Sequence, residues 1–123
     1  MKIRKLTADE VEFTLDVEPE CDSTVEGNAM CSGDDAADKK YEQELLARLE
    51  RGDTSAWCVL IVKAKWNGHE GVDTLGCVTL KEDADEEDAR EMADMHGMEA
   101  NALAYLNDEL AEEARLLTQL EAG

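Results

Sequence analysis

Residues 57–80 read WCVLIVKAKWNGHEGVDTLGCVTL, and the fold is decided here. A β-branched, apolar run from Trp57 to Trp66 meets Asn67-Gly68, and residues 72–80 return. Asn-Gly suits a type I′ turn, because both central residues of that turn need positive φ. The pattern predicts an antiparallel hairpin. With a two-residue loop, Lys65 faces Glu70 and Cys58 faces Cys77. A four-residue loop through Glu70 shifts the partners without swapping the faces. One face holds Cys58, Leu60, Val62, Leu75 and Cys77. The other carries Trp57, Val59 and Ile61 but ends in Lys63 and Lys65, so partial solvation is expected there.

Outward from the hairpin, residues 11–17 alternate, with Val11, Phe13, Leu15 and Val17 on one face and Glu12, Thr14 and Asp16 on the other. A period of two predicts a half-buried strand, ended by Pro19. The basic start, Lys2 to Lys5, leads into it as an irregular or edge segment. Residues 18–33 form a long polar connection with Gly27 and Gly33. Ser32 or Asp34 caps a helix that runs to about Arg51 and stops at Gly52. Its buried stripe is expected to be Ala37, Tyr41, Leu45 or Leu46, and Leu49. Beyond the hairpin, Met98, Ala102, Leu103, Leu106, Leu110, Ala114, Leu117 and Leu120 recur at intervals of three and four, a long C-terminal helix. Gly97 separates it from a more acidic turn or helix. The order strand, helix, strand, strand, helix predicts a single α+β domain over residues 1–123. A small antiparallel sheet of about three strands is covered by two helices.

Charge is the strongest pointer to function. The chain of 123 residues carries a formal charge of −19. Residues 82–123 hold fourteen acids against two bases, for −12. The acidic segment 82–94 packs Glu82, Asp83, Asp85, Glu86, Glu87, Asp88, Glu91 and Asp94 into thirteen residues, opposed within it only by Arg90. As a helix rising about 1.5 Å per residue, it would span roughly 20 Å, with one net charge per ~3 Å. A single strand of duplex DNA carries one per ~3.4 Å. Like charges such as Glu82/Glu86, Asp83/Glu87 and Glu87/Glu91 would then share faces and oppose the helix by a few tenths of a kcal/mol each. Such a field excludes direct binding to nucleic acid or anionic membrane and speeds encounter with cationic surfaces. A solvated face, an imitation of nucleic-acid phosphates and a salt-adapted surface are the competing readings. Seven lysines, five methionines and the concentration of charge near the C-terminus argue against salt adaptation. The steep asymmetry favours the imitation.

Other chemistry is sparse. Asp83, Asp85 and Glu87 alternate and Asp94 stands twelfth, as in a calcium loop. The sixth position is Asp88 where Gly is needed, and the twelfth is not Glu. His96 beside Met92, Met95 and Met98 suggests a soft-metal cluster, but methionines at helical spacing read as packing. His69 falls in the hairpin turn. Cys21, Cys31, Cys58 and Cys77 lack CxxC spacing and read as thiols. No phosphate-binding glycine loop, zinc-site spacing or HExxH is present, so no catalytic residue, metal or cofactor is assigned. No signal peptide, transit peptide or transmembrane run is recognised, and a cytoplasmic protein is expected. Trp57 and Trp66 are candidate apolar anchors for a basic partner. Leu110, Leu117 and Leu120 are candidates for a homodimer or partner interface, although Glu113 breaks a strict heptad.

The segment GNAMCSGDDAADKKYEQELLARLERGD (residues 27–53), followed by WCVL and the hairpin, resembles small acidic proteins of bacteriophages and other mobile elements. The resemblance spans roughly residues 2–80. It implies an anti-defence setting in a bacterial host, of the anti-CRISPR or DNA-mimic type. The expected function is then non-enzymatic inhibition of a basic nucleic-acid-binding protein or CRISPR effector subunit. The alternative is a phage or plasmid structural or interaction protein that acts through its C-terminal helix.

Overall fold

The computed structural model describes residues 3–29 and 32–122. Lys2 of the basic start and Cys31 lie outside them. Three strands, β1 (Glu12–Pro19), β2 (Cys58–Trp66) and β3 (His69–Val78), form one antiparallel sheet in the order β1-β2-β3. Helix α1 (Asp35–Glu50) lies between β1 and β2, while α2 (Glu86–Met95) and α3 (Met98–Ala122) follow the hairpin. The α+β class, the three strands and the long last helix are as expected, with the acidic segment supplying a third helix. No helix among the described residues is long and apolar enough to cross a membrane.

The hairpin closes through Asn67 at φ 47° and Gly68 at φ 82°, both in the left-handed region that a type I′ turn requires. Trp66 therefore pairs with His69 and Lys65 with Glu70, the two-residue register. Further along, the register shifts by one between Cys58 and Leu60, so Cys58 pairs with Val78. Cys58 and Cys77 do not face one another. Cys77 bulges out of the ladder at φ 56° and is exposed, and its N–H donates to the Glu20 carboxylate at 2.8 Å. That bond holds the Glu20 carboxyl below the usual carboxylate range. Cys58 is buried, and burial pushes its thiol up to about 11, so it stays protonated and inert.

One sheet face is covered. Leu60, Val62 and Ala64 of β2, with Phe13 and Leu15 of β1, pack against Met98, Ala102 and Leu106 of α3 and Ala89 and Ala93 of α2. Each large aliphatic chain withdrawn in this way contributes about 1.5–3 kcal/mol. Val17, expected on the covered face, is exposed. It borders an open cleft with Leu80, Ala84 and Ala89, at a point on the edge strand where the helices no longer close over the sheet. On α3, Leu106 and Ala114 are buried, Leu103 and Leu110 are half-buried, and Leu116, Leu117 and Leu120 are exposed. The approach to β1 is irregular, as expected. It is clamped where Leu6 N–H donates to Asn107 Oδ1 at 2.8 Å and Asn107 Nδ2 donates back to Leu6 O at 3.1 Å.

A second, smaller core gathers Val25, Leu45, Ala56 and Trp57, with Tyr41, Leu46 and Leu49 of α1 against it. Asp34 caps α1 by accepting from the N–H groups of Ala36 and Ala37 at 3.2 Å, and Gly52 at φ 88° ends it. Ala37 is exposed rather than part of the stripe, since this small core begins one turn later at Tyr41. Trp57 corrects the sequence reading more sharply. The short 3-10 turn Thr54–Ala56 turns its indole away from the open sheet face into this core. It is 4 % exposed, with its N–H donating to Ser23 O at 3.1 Å.

Arg48 and Asp53 join the two cores. Arg48 Nε donates to Asp53 Oδ2 at 2.8 Å, and Arg48 Nη2 donates to Leu80 O at 2.8 Å, tying α1 to the end of the hairpin. The pair is largely buried, at 13 % and 8 % side-chain exposure. The Ser55 hydroxyl, and then Arg48, hold the Asp53 carboxyl down at about 2. A depressed carboxyl stabilises the fold above its ordinary range near 3.8, and the contribution is lost as pH falls towards 2. Asp53→Asn should therefore destabilise the protein in urea at pH 7, and the gap to the parent should close near pH 2. A gap independent of pH would contradict an ionised Asp53.

Candidate functional site

The acidic segment folds as a turn followed by α2. Its first turn is built on a reciprocal cap, in which Asp88 N–H donates to Asp85 Oδ1 at 2.9 Å and Asp85 N–H donates to Asp88 Oδ2 at 3.0 Å. The Asp85 amide, and then Lys81, hold the Asp88 carboxyl below its usual range. Glu86, Glu87 and Asp88 occupy the first helical turn, where the positive end of the helix dipole favours acids. Dense negative charge thus assists this helix at its start instead of melting it.

This placement corrects the simple helical picture of residues 82–94. Glu82 and Asp83 precede the helix, with Asp83 at φ 53°, so Glu82/Glu86 and Asp83/Glu87 are not stacked pairs. Glu87/Glu91 is one. A calcium loop is likewise ruled out, because residues 86–94 are helical and Asp85 is occupied as a cap. Three of the eight acids meet bases: Glu82 meets Arg51, Asp88 meets Lys81 at 3.3 Å, and Glu86 meets Arg90 at 3.6 Å. The Asp83 amide reaches the Asp53 carboxylate at 3.5 Å, anchoring the turn to the Arg48 network.

With Asp85 used as the cap and Asp83 lying in the turn before the helix, Glu87, Glu91 and Asp94 remain on α2. At spacings of four and three they form one exposed stripe along α2, and among the described residues none of the three carboxylates is paired. Glu99, in the first turn of α3, borders the same crevice as Asp94 and extends the stripe. Over about 10 Å of axis, three unpaired charges give one per ~5 Å. This is sparser than the sequence count suggests and comparable in order to a polynucleotide strand.

Of the two proposed anchors, Trp57 is withdrawn into the core, whereas Trp66 is 37 % exposed at the hairpin tip and stacks on His69 with ring centroids 6.4 Å apart. A feature not foreseen lies beside α2. Leu15, Val17, Leu80, Ala84 and Ala89, together with Thr54 and Ser55, line a cleft of about 350 Å³ that is rimmed by Asp16, Asp85 and Glu86. The mixed lining and the Asp16 carboxylate, which neither caps the helix nor meets Arg90, can take the aliphatic stem and cationic head of a lysine or arginine. Its signal in the sequence was the alternation that leaves Val17 one step beyond the last covered position.

Of the methionine cluster, Met92 and Met98 resolve as packing and Met95 does not. Met98 is buried and Met92 half-buried against the main core, while Met95 and His96 are exposed. The histidine that does meet carboxylates is His69, beside Glu109 and Glu113 of α3. Comparison of the chain with protein-family models, with curated proteins and with solved structures finds no match.

Proposed function

We propose that this protein is a non-enzymatic anti-defence inhibitor of a phage or other mobile element. In the cytoplasm of a bacterial host, its acidic surface occupies the nucleic-acid-binding groove of a defence complex, of which a CRISPR effector subunit is the leading candidate. One observation carries the reading: Glu87, Glu91 and Asp94 stand unpaired on an ordered, capped helix within a strongly acidic C-terminal third. Exposed single ion pairs are worth about 0–1 kcal/mol, so affinity requires several pairs and an apolar contact. The cleft lined by Leu15, Val17 and Leu80 supplies that contact for a basic side chain, and Trp66 supplies a second.

The immobilised protein should capture a nucleic-acid-binding protein from bacterial lysate at low salt. High salt or heparin, a polyanion that competes for basic grooves, should release it. Leu116, Leu117 and Leu120, exposed beyond the sheet on α3, favour a second reading, an interaction or dimer surface on that helix. Capture that resists both salt and heparin, but is lost on Leu117→Asp substitution, would replace the first reading with the second.

A further inference from the structure

We propose that His69, Glu109 and Glu113 bind a single divalent transition-metal ion, with zinc the ion their donor set suits. His69 opens β3 immediately after the type I′ turn, and its ring stacks on Trp66 with centroids 6.4 Å apart. Glu109 and Glu113 lie one helical turn apart on α3, which places both carboxylates on one face. One donor atom from each of the three residues lies within 4.8 Å of the others, and His69 Nδ1 is 3.7 Å from a Glu113 oxygen.

The two platforms are rigidly joined. Gly71, two residues beyond His69, receives the backbone of Ala102 and Leu106, so α3 sits directly on β3 one turn before Glu109. Zinc holds nitrogen and carboxylate oxygen at about 2.0–2.2 Å. Rotation of two exposed glutamate side chains brings the donors to that range without moving backbone. Imidazole with carboxylate selects zinc, nickel or copper, whereas calcium and magnesium take all-oxygen shells. The charge of −19 raises the local concentration of any cation. Three protein donors leave at least one position to water or to an outside ligand. An ion here clips the hairpin tip to the last helix across some forty residues of chain, and it is independent of the stripe on α2.

Zinc titration by calorimetry in a large excess of Mg²⁺ separates this site from loose attraction to the acidic surface. Nickel, a paramagnetic ion, reports on proximity through quenching of the Trp66 fluorescence. One ion should bind per chain. Because outer-shell partners alone are worth roughly 10–100-fold in metal affinity, loss of a ligand in His69→Ala or Glu113→Gln should weaken binding by more. Glu113 is exposed and His69 half-buried, and circular dichroism reports whether the fold persists. Glu113→Gln keeps the Trp66 stack and so separates ligation from packing. A chain with Cys21, Cys31 and Cys77 replaced by serine should bind undiminished. Displacement by Mg²⁺, full binding in His69→Ala, or loss with the cysteines would each overturn the assignment.

Discussion

Gly71→Ala lifts α3 from the sheet and costs about 3 kcal/mol or more of stability. A Cβ at this position would lie 2.2 Å from the Ala102 carbonyl oxygen and 2.4 Å from the Leu106 amide nitrogen. Neither atom belongs to a side chain that can rotate away. The helix as a whole must retreat by about an ångström, and Ala102 and Leu106, both fully buried, lose their contacts with Ala64 and its neighbours. For a domain whose total stability is about 5–15 kcal/mol, that is a large fraction. Gly76→Ala is the comparison and should cost less, because the Cβ there meets only the end of the Glu20 side chain at 2.8 Å, and the loss is confined to the bond Glu20 makes to the Cys77 amide. Urea denaturation of both variants checks the contrast. Equal stabilities would mean that α3 does not rest on the backbone of β3.

The second large effect is on binding. Changing Glu87, Glu91 and Asp94 together to lysine should reduce capture of the basic partner about 100-fold or more. Each reversal removes an attraction of up to about 1 kcal/mol and adds repulsion, so three of them exceed the ~2.8 kcal/mol that a hundredfold represents. The fold should tolerate the change, since all three side chains are exposed and the capping residues Asp85 and Asp88 are kept. Reversing Glu44, Asp108 and Glu121 instead alters the net charge equally but leaves the stripe intact. Unchanged capture in that control and lost capture in the first variant locate the effect on α2. Equal loss in both would assign it to net charge alone.

The framework was legible where local chemistry leaves little choice. Asn67-Gly68 supplies two residues that accept positive φ, so the turn type and the register beside it follow. Asp34 and Gly52 bracket α1 because they satisfy orphan backbone groups at its ends. What escaped depends on distant partners. The bulge at Cys77 is held by Glu20, fifty-seven residues away, and no local pattern announces it. Trp57 sits at the strand entrance, and the turn before it, rather than the alternation after it, sets where the indole goes. The start of α2 could have been placed better, since Asp85 and Asp88 carry the spacing of a capping box. Gly71 inside a strand was a sign of close backbone approach. Composition alone marks the acidic segment, but which of its carboxylates stay unpaired depends on Arg51, Lys81 and Arg90 in place. His69 and the pair Glu109/Glu113 meet only once α3 lies along β3.

That carboxylates on α2 stand in for phosphates is tested most directly by competition. The captured partner is loaded with fluorescent duplex DNA and titrated with the protein while anisotropy is followed. Release of the DNA at stoichiometric protein, weakened by salt and absent with the Glu87, Glu91 and Asp94 reversal, is the expected result. A ternary complex holding both protein and DNA, or equal release by the reversed variant, would contradict it.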